Sequence, residues 1–410
     1  MRRVARRHLS FQPVATKSGL PQADSERRYL LYLHVPFCIV LCPFCSFHRV
    51  RFKQDRAVSY FDALEREIEL AADAGFRYSE VYFGGGTPTV LPDELARIVR
   101  RLRNEYGADR VSAETNPDDL GMESLEALAE AGINRLSVGV QSFDDELLRQ
   151  MERLEKYGSG DQIRAHLHRA HGTFETLNVD MMFNFPQQTP ESLQRDLDML
   201  TEGIAADQVS WYPLMSAEST KKAMDKEIGQ VDYSRERRLY HQIADHMLAK
   251  GYHRSSAWCF SREPTMIDEY ITENVEYLGL GSGAFSYVGG KLYGSTFSIN
   301  TYLRRVASGR TGITRRSDLE VREQMRYFLL MQLFGGRLNL VDASERFGRS
   351  FYRVLLPELT GLRLIGAIRK RGNELSLTES GQYLWVMMMR EFFGSVNDFR
   401  ERMRLQIPVE

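Results

Sequence analysis

Apolar residues along this chain alternate between short continuous runs and stretches at helical spacing. That alternation predicts a parallel sheet covered by helices. Residues 30–35, LLYLHV, read as a strand buried on both faces. Tyr60, Phe61, Leu64, Ile68 and Ala71 then recur at helical spacing within 58–74, and Gly75 is a natural stop. A strand at 80–83 runs into Gly84-Gly85-Gly86, and Pro92 suits the first turn of a helix over 93–105. Strands at 110–115, 135–140 and 177–183 alternate with helical stretches at 121–131, 144–152 and 160–170. Thr189-Pro190-Glu191 starts a further helix to about 203, and a sixth strand follows at 208–212. Each return to the sheet passes through a helix, so the strands are parallel. Six such units are too few for a closed eight-fold barrel. The expectation for 29–215 is therefore an α/β fold, a partial (β/α)6 barrel with its site at the C-terminal strand ends.

Beyond this region the pattern changes. Residues 216–317 read as a less regular linking region, with one clear helix at 234–249, that completes the active-site cover. Residues 318–410 read as a mostly helical, winged-helix-like domain. Its helices fall at 319–334, 341–347 and 350–361, two short strands flank Gly372-Asn373, and a closing helix runs over 380–395. Residues 1–28 hold seven Lys or Arg against two acids, with no apolar segment after them. This basic tail is read as solvated, or as a flap over the site, rather than as a targeting peptide.

Composition narrows the function classes. Apolar residues are 43% and charged residues 27%, the balance of a globular protein. Lys plus Arg is 54 and Asp plus Glu 55, so no global basic field draws the chain to nucleic acid. The apolar run at 383–389, YLWVMMM, is far short of the ~20 residues a spanning helix needs. Three of the four cysteines, Cys38, Cys42 and Cys45, fall within eight positions, and Cys259 is remote. Such clustering is a metal site in a reducing compartment rather than a disulfide framework, and a cytoplasmic location is expected. Three thiolates at this spacing suit a [4Fe–4S] cube with one open iron. The other reading is a zinc knuckle completed by His34 or His48.

The run Tyr32-Leu-His34-Val-Pro-Phe-Cys38-Ile-Val-Leu-Cys42-Pro-Phe44-Cys45 resembles the radical S-adenosylmethionine (SAM) superfamily, and more narrowly its oxygen-independent coproporphyrinogen III oxidase family. The resemblance extends over roughly residues 28–395. It implies Cys38, Cys42 and Cys45 as cluster ligands, with SAM chelating the open iron. Gly85, Gly86 and Thr87, in the loop Gly84 to Thr89, are implied at the methionyl amine. Arg153, twelve residues after Gln141, is implied at the carboxylate, Gln141 and Asp180 at the ribose, and Phe44 at the adenine. Tyr32 and Glu114 are the candidate catalytic residues, both also cofactor-binding. The segment 277–286, with Gly281 and Ala284, matches the family's region near a second SAM, although as a bare pattern it is equally a tight turn. The implied chemistry is cleavage of SAM to a 5′-deoxyadenosyl radical, acting on a tetrapyrrole or another small molecule. An electron donor such as flavodoxin or ferredoxin is an implied partner. A methyltransferase using a second SAM and a haem chaperone on the same scaffold are the alternatives.

Three departures set the chain apart from both characterised branches of that family. Phe47 stands where the decarboxylase branch has a further cysteine, and resembles the aromatic of the haem-chaperone branch. The chaperone's histidine-rich motif is missing from 258–280, and Asn184-Phe185-Pro186 replaces Gly-Leu-Pro. Elsewhere, His166, His168 and His171 are read as a solvated helix face and Cys259 as a packed thiol. Arg369, Lys370 and Arg371 on the wing are read as part of a substrate cover rather than a DNA reader.

Overall fold

The computed structural model describes residues 11–14, 18–45, 47–215, 218–263 and 276–405. Much of the basic tail, at 1–10 and 15–17, and part of the stretch where the chaperone motif was sought, at 264–275, lie outside the described residues.

The six anticipated strands all form, as β1 (Arg28–Val35), β2 (Arg77–Gly85), β3 (Arg110–Thr115), β4 (Arg135–Gln141), β5 (Thr176–Phe183) and β6 (Gln208–Pro213). Each pairs in parallel with the next. The returns run through α1 (Gln54–Asp73), α2 (Pro92–Tyr106), α3 (Met122–Ala131), α4 (Gly160–Ala170) and α5 (Pro190–Asp198). Local chemistry sets their ends. Gly107 and Gly132 close α2 and α3 in the left-handed conformation. Ser159 with Gln162, and Thr189 with Ser192, make reciprocal caps at the starts of α4 and α5. The buried face of α1 is the anticipated stripe with one polar member, Glu67.

The sheet continues beyond these units to thirteen strands. β7 (Cys259–Ser261) adds antiparallel to β6. At the opposite edge β8 (Tyr277–Leu280) joins β1 in parallel, followed by the antiparallel strands β9 (Phe285–Val288), β10 (Lys291–Ser295) and β11 (Ile313–Asp318). The stretch read as irregular therefore extends the sheet. Its strands are short and carry Gly and Ser, so no alternation long enough to register exists in the sequence.

The C-terminal part follows the winged-helix-like expectation. It holds α6 (Val321–Phe334), helices at Leu340–Phe347 and Ser350–Val354, α7 (Leu356–Leu364) and α8 (Glu379–Leu405). A small antiparallel sheet joins β12 (Arg337–Asn339), β13 (Ile368–Arg371) and β14 (Glu374–Leu377). Two expectations need correction. The helix expected at 350–361 is broken at Leu355, because Pro357 takes the first turn of a new helix. The closing helix continues past 395 to Leu405. Polar clamps seat α8 on the barrel: Arg390 and Tyr383 bond the fully buried Glu236, and Arg254 pairs bidentately with Glu379.

Candidate active site

A large cavity, about 1060 Å³, lies between the C-terminal ends of the barrel strands and the helical part. Its barrel wall holds Tyr32, Cys38, Cys42, Phe44, Cys45, Gly85, Gly86, Glu114, Gln141, Arg153 and Asp180. These residues span about 150 positions of sequence and meet because parallel strands deliver their ends to one side.

The cysteine loop is stapled at its base. Phe37–Cys38 and Val50–Arg51 form a two-stranded parallel ladder, and the Phe52 amide donates to the Cys38 carbonyl at 2.9 Å. The Arg49 guanidinium donates to the Cys42 and Cys45 carbonyls at 2.5 and 2.7 Å. The sulfurs themselves face donors: Thr87 Oγ1 lies 3.7 Å from Cys38 Sγ, and Arg153 Nη1 lies 3.5 Å from Cys42 Sγ. Burial pushes the Cys38 thiol up to about 12 and raises Cys45 as well. Without a cation, both thiols therefore keep their protons near neutral pH. Among the described residues no three His, Cys, Asp or Glu side chains gather around one metal ion. Thiolates that each hold a different corner of a cluster do not converge in that way. Cys259 is remote, buried on β7 and bonded by Ser210.

The glycine loop after β2 packs directly on the cysteine loop. A Cβ on Gly86 would lie 2.6 Å from the Phe37 carbonyl oxygen, and Gly85 has φ +120°, so side chains are excluded at both positions. Glu114 fixes the loop from β3: one carboxylate oxygen accepts from the Gly85 amide and the other from the Tyr82 hydroxyl, both at 3.0 Å. Burial first, then repulsion from Asp180, lifts Glu114 to about 7. Asp180 accepts from Ser137 and Asn178 at 2.8 and 2.7 Å, and burial raises it too. Gln141 sits on a bulge between β4 and β5 with φ +78°, a conformation a non-glycine side chain holds only under constraint. The constraint is Asp196 on α5, which accepts from Ser142 and from the Phe143 amide, both at 2.8 Å.

Tyr32 is backed by a buried histidine pair. His34 Nε2 faces the His48 carbonyl at 2.9 Å, which only a protonated nitrogen can do. In the neutral ring Nδ1 is then the acceptor, so the Tyr32 hydroxyl donates to it at 2.9 Å. His48 Nε2 continues to Ser282 at 3.2 Å. Sequence reasoning assigned none of Arg49, Asn116, Asp196 or Tyr157, and named His48 only as a possible zinc ligand, whereas its carbonyl holds His34. Of the unassigned residues only Asn116, two positions after Glu114 at the end of β3, carried a signal that could have found it.

Thr87, Gly281 and Ala284 are set apart from the other candidates, since none of them lines the cavity. Thr87 lies behind the wall, bonded to Cys38 and Asn116. The Gly281 amide donates to Glu67 at 2.7 Å, and Ala284 packs on Tyr32 and Tyr82. Their neighbours Gly283 and Phe285 reach the cavity instead. His166 bonds the Pro117 carbonyl at 2.6 Å and forms no cluster with His168 and His171.

Residues 32–200 match the Radical SAM superfamily. The chain is 30% identical over 377 residues to anaerobilin synthase of Escherichia coli O157:H7, covering 88% of this chain and 83% of that protein. The chain belongs to the radical SAM superfamily. Within it, the relatives are coproporphyrinogen III oxidase-like. Heme chaperone HemW of Bacillus subtilis is 28% identical over 89% of this chain and 99% of its own length. The solved coproporphyrinogen III oxidase HemN from Escherichia coli has the same fold, with a TM-score of 0.74, 24% identity, and coverage of 89% of this chain and 91% of that one. Radical SAM membership brings a [4Fe–4S] cluster and SAM as cofactors.

The residues present fit both groups. Three thiols without a disulfide line the wall with hydrogen-bond donors aimed at two of them. Arg153 is only 3% exposed and stacks 4.1 Å over Tyr157, yet pairs with no carboxylate among the described residues, and its Nε has no partner. A buried cation in that state is costly until a ligand carboxylate arrives.

Proposed function

We propose that this radical SAM protein is an enzyme that works on a tetrapyrrole held between the two walls of the cavity. Cys38, Cys42 and Cys45 hold the cluster. Arg153 pairs the carboxylate of SAM, the Gly85–Gly86 backbone meets its amine, Gln141 and Asp180 take the ribose, and Phe44 packs on the adenine. Bound together, the two cofactors supply one-electron cleavage of SAM and hydrogen-atom abstraction from a substrate. Tyr32 and Glu114 stand at the reacting end. Glu114 keeps the glycine loop in register, and Tyr32 turns its oxygen lone pairs toward the cavity because His34 takes its proton. The observation that carries the reading is the second wall. Tyr327, Leu330, Trp385, Met388 and Phe392 give a largely apolar, aromatic surface, interrupted by Glu323, Arg326 and Glu358, opposite the polar one, in a cavity larger than SAM alone requires. The names of the relatives support the class: a haem chaperone, an anaerobilin synthase and coproporphyrinogen III oxidases all concern tetrapyrroles.

Phe47 decides between reactions in this reading. It lines the cavity two positions after Cys45 and is 43% exposed. A phenyl ring there adds apolar bulk where a substrate shaped for a thiol would approach. The test is anaerobic incubation of reconstituted protein with reductant, SAM and either haem or coproporphyrinogen III, resolving 5′-deoxyadenosine and the tetrapyrrole by mass. Turnover of SAM with a mass change in a tetrapyrrole other than two losses of carbon dioxide is expected. Ordinary-rate conversion of coproporphyrinogen III to protoporphyrinogen IX would contradict the role given to Phe47. A second reading, the haem chaperone, is favoured by the aromatic residue at this position. Tight haem binding without any SAM turnover would select it.

A further inference from the structure

The cavity opens beside a surface tip that the proposed reaction does not use. α7 ends in Leu364, which is 82% exposed, and is followed by Ile365, which is 64% exposed and also lines the cavity. A helix terminus that leaves two large aliphatic side chains in water has no reason to do so within this chain, since either position tolerates a polar residue. Across the opening, Ile39, Leu41 and Phe47 of the cysteine loop are exposed to 45%, 38% and 43%. Phe47 and Ile365 line the same cavity, so apolar side chains rim its mouth from both walls.

Charge around this tip is predominantly positive, although Glu358 lies on α7 itself and Glu374 faces Arg371 across the hairpin. Residues 337–371 hold eight Lys or Arg and three Asp or Glu, although the chain as a whole is at −1. Arg363 adjoins Leu364, and Arg369, Lys370 and Arg371 follow on β13, where all three are exposed. Arg371 is six positions after Ile365, so the cations lie within ~20 Å of the apolar tip. None of these four makes an ion pair among the described residues; Lys370 stacks 5.1 Å over Tyr352 and Arg369 bonds Ser376 at 3.2 Å.

Exposed aliphatic side chains next to a cluster of exposed cations are the two parts of an interfacial membrane contact. One part enters the headgroup boundary and the other is drawn to anionic lipid. A nucleic-acid duplex would use the cations and leave Leu364 and Ile365 unexplained. We propose that this tip docks on an anionic bilayer surface and turns the cavity mouth toward the membrane, where an apolar ligand is exchanged.

Vesicle co-sedimentation of the full chain tests this. The chain is expected to bind phosphatidylcholine vesicles containing 30 mol % phosphatidylglycerol and to leave vesicles of phosphatidylcholine alone in the supernatant, with binding falling steeply between 0.1 and 0.5 M salt at about these lipid and salt conditions. Replacing Arg369, Lys370 and Arg371 by Gln should weaken binding about a hundredfold. Leu364→Glu should weaken it tenfold or more, with SAM affinity and melting temperature unchanged. Absence of wild-type binding to the anionic vesicles overturns the proposal and leaves the surface to a protein partner. Binding that survives both sets of substitutions overturns it as well. Loss through the cations alone, with Leu364→Glu neutral, also overturns it, because simple electrostatic adsorption needs no apolar tip.

Discussion

The barrel wall of the cavity carries thiols, two half-buried carboxylates, a buried guanidinium and a glutamine in a strained backbone conformation. The helical wall carries Trp385, Met388, Phe392 and Leu330 with no such strain. The polar wall is held by hydrogen bonds among its own members and from behind it. Asp196 grips the turn behind Gln141, Glu114 grips the glycine loop, and Arg49 grips the cysteine loop. The apolar wall is held by packing and by clamps at its base, such as Arg390 on Glu236. A wall of fixed polar groups suits a ligand of one shape. A wall of Met, Phe and Leu on helices suits a large face read by area rather than by hydrogen bonds. The two walls are thus assigned to different ligands.

Four substitutions or titrations separate the walls, beginning with the largest effect. Cys38→Ala, Cys42→Ala and Cys45→Ala should each remove essentially all of about four irons per chain after anaerobic reconstitution, measured by iron and sulfide content. Tetrapyrrole binding at the other wall should persist in these variants, and Cys259→Ala should keep its iron. Next, Arg153→Ala should weaken SAM binding by about 1.5–3 kcal/mol, tenfold or more by equilibrium dialysis, with only partial rescue by lysine. An unchanged SAM affinity would remove Arg153 from the site. Third, Phe392→Ala should cost about tenfold in tetrapyrrole affinity through lost apolar area, and leave SAM affinity alone. Equal losses for both ligands would break the division into walls.

The fourth is a pH dependence of stability in the ligand-free protein. Glu114 is lifted to about 7 by burial and by Asp180, above the ordinary carboxylate value it has when unfolded. The folded state therefore binds the extra proton. Its stabilising contribution is full below the unfolded value and is lost as pH rises through about 7, on the order of 1–3 kcal/mol. Glu114→Gln should flatten that slope in urea titrations between about pH 5 and 8. A slope that is unchanged would mean that another group, such as Asp196, sets it.

How much of this was legible in the sequence follows from length scale. The six parallel strands are largely buried, so LLYLHV stands out as an apolar run, whereas the more polar RVSAET is legible only from its place in the strand–helix alternation. β8 to β11 are brief, β8 and β10 are interrupted by glycine, and the pairing of β8 with β1 joins segments far apart in sequence. The barrel-wall residues sit at strand ends beside recognisable motifs, so Cys38, Glu114, Gln141, Arg153 and Asp180 were nameable. Arg49 and Asp196 act by tertiary geometry alone with no local pattern to mark them, and His48, named only as an alternative metal ligand, acts instead through its carbonyl on His34. Gly281 looked like a ligand loop because a glycine needed for close packing on β1 has the same sequence signature as one needed for a cofactor. Its amide is held by Glu67, which also takes the Tyr302 hydroxyl at 2.8 Å and the Gly312 amide at 2.6 Å.

The division of the cavity is tested most directly by titrating haem into the anaerobic, cluster-loaded chain with and without saturating SAM, followed by haem absorbance and by the spectrum of the reduced cluster. The account predicts simultaneous occupancy: SAM leaves the haem dissociation constant within about threefold, and each ligand perturbs the cluster signal independently. Displacement of haem by SAM, with the apparent haem affinity falling in proportion to SAM concentration, would place both ligands on the same wall and contradict it.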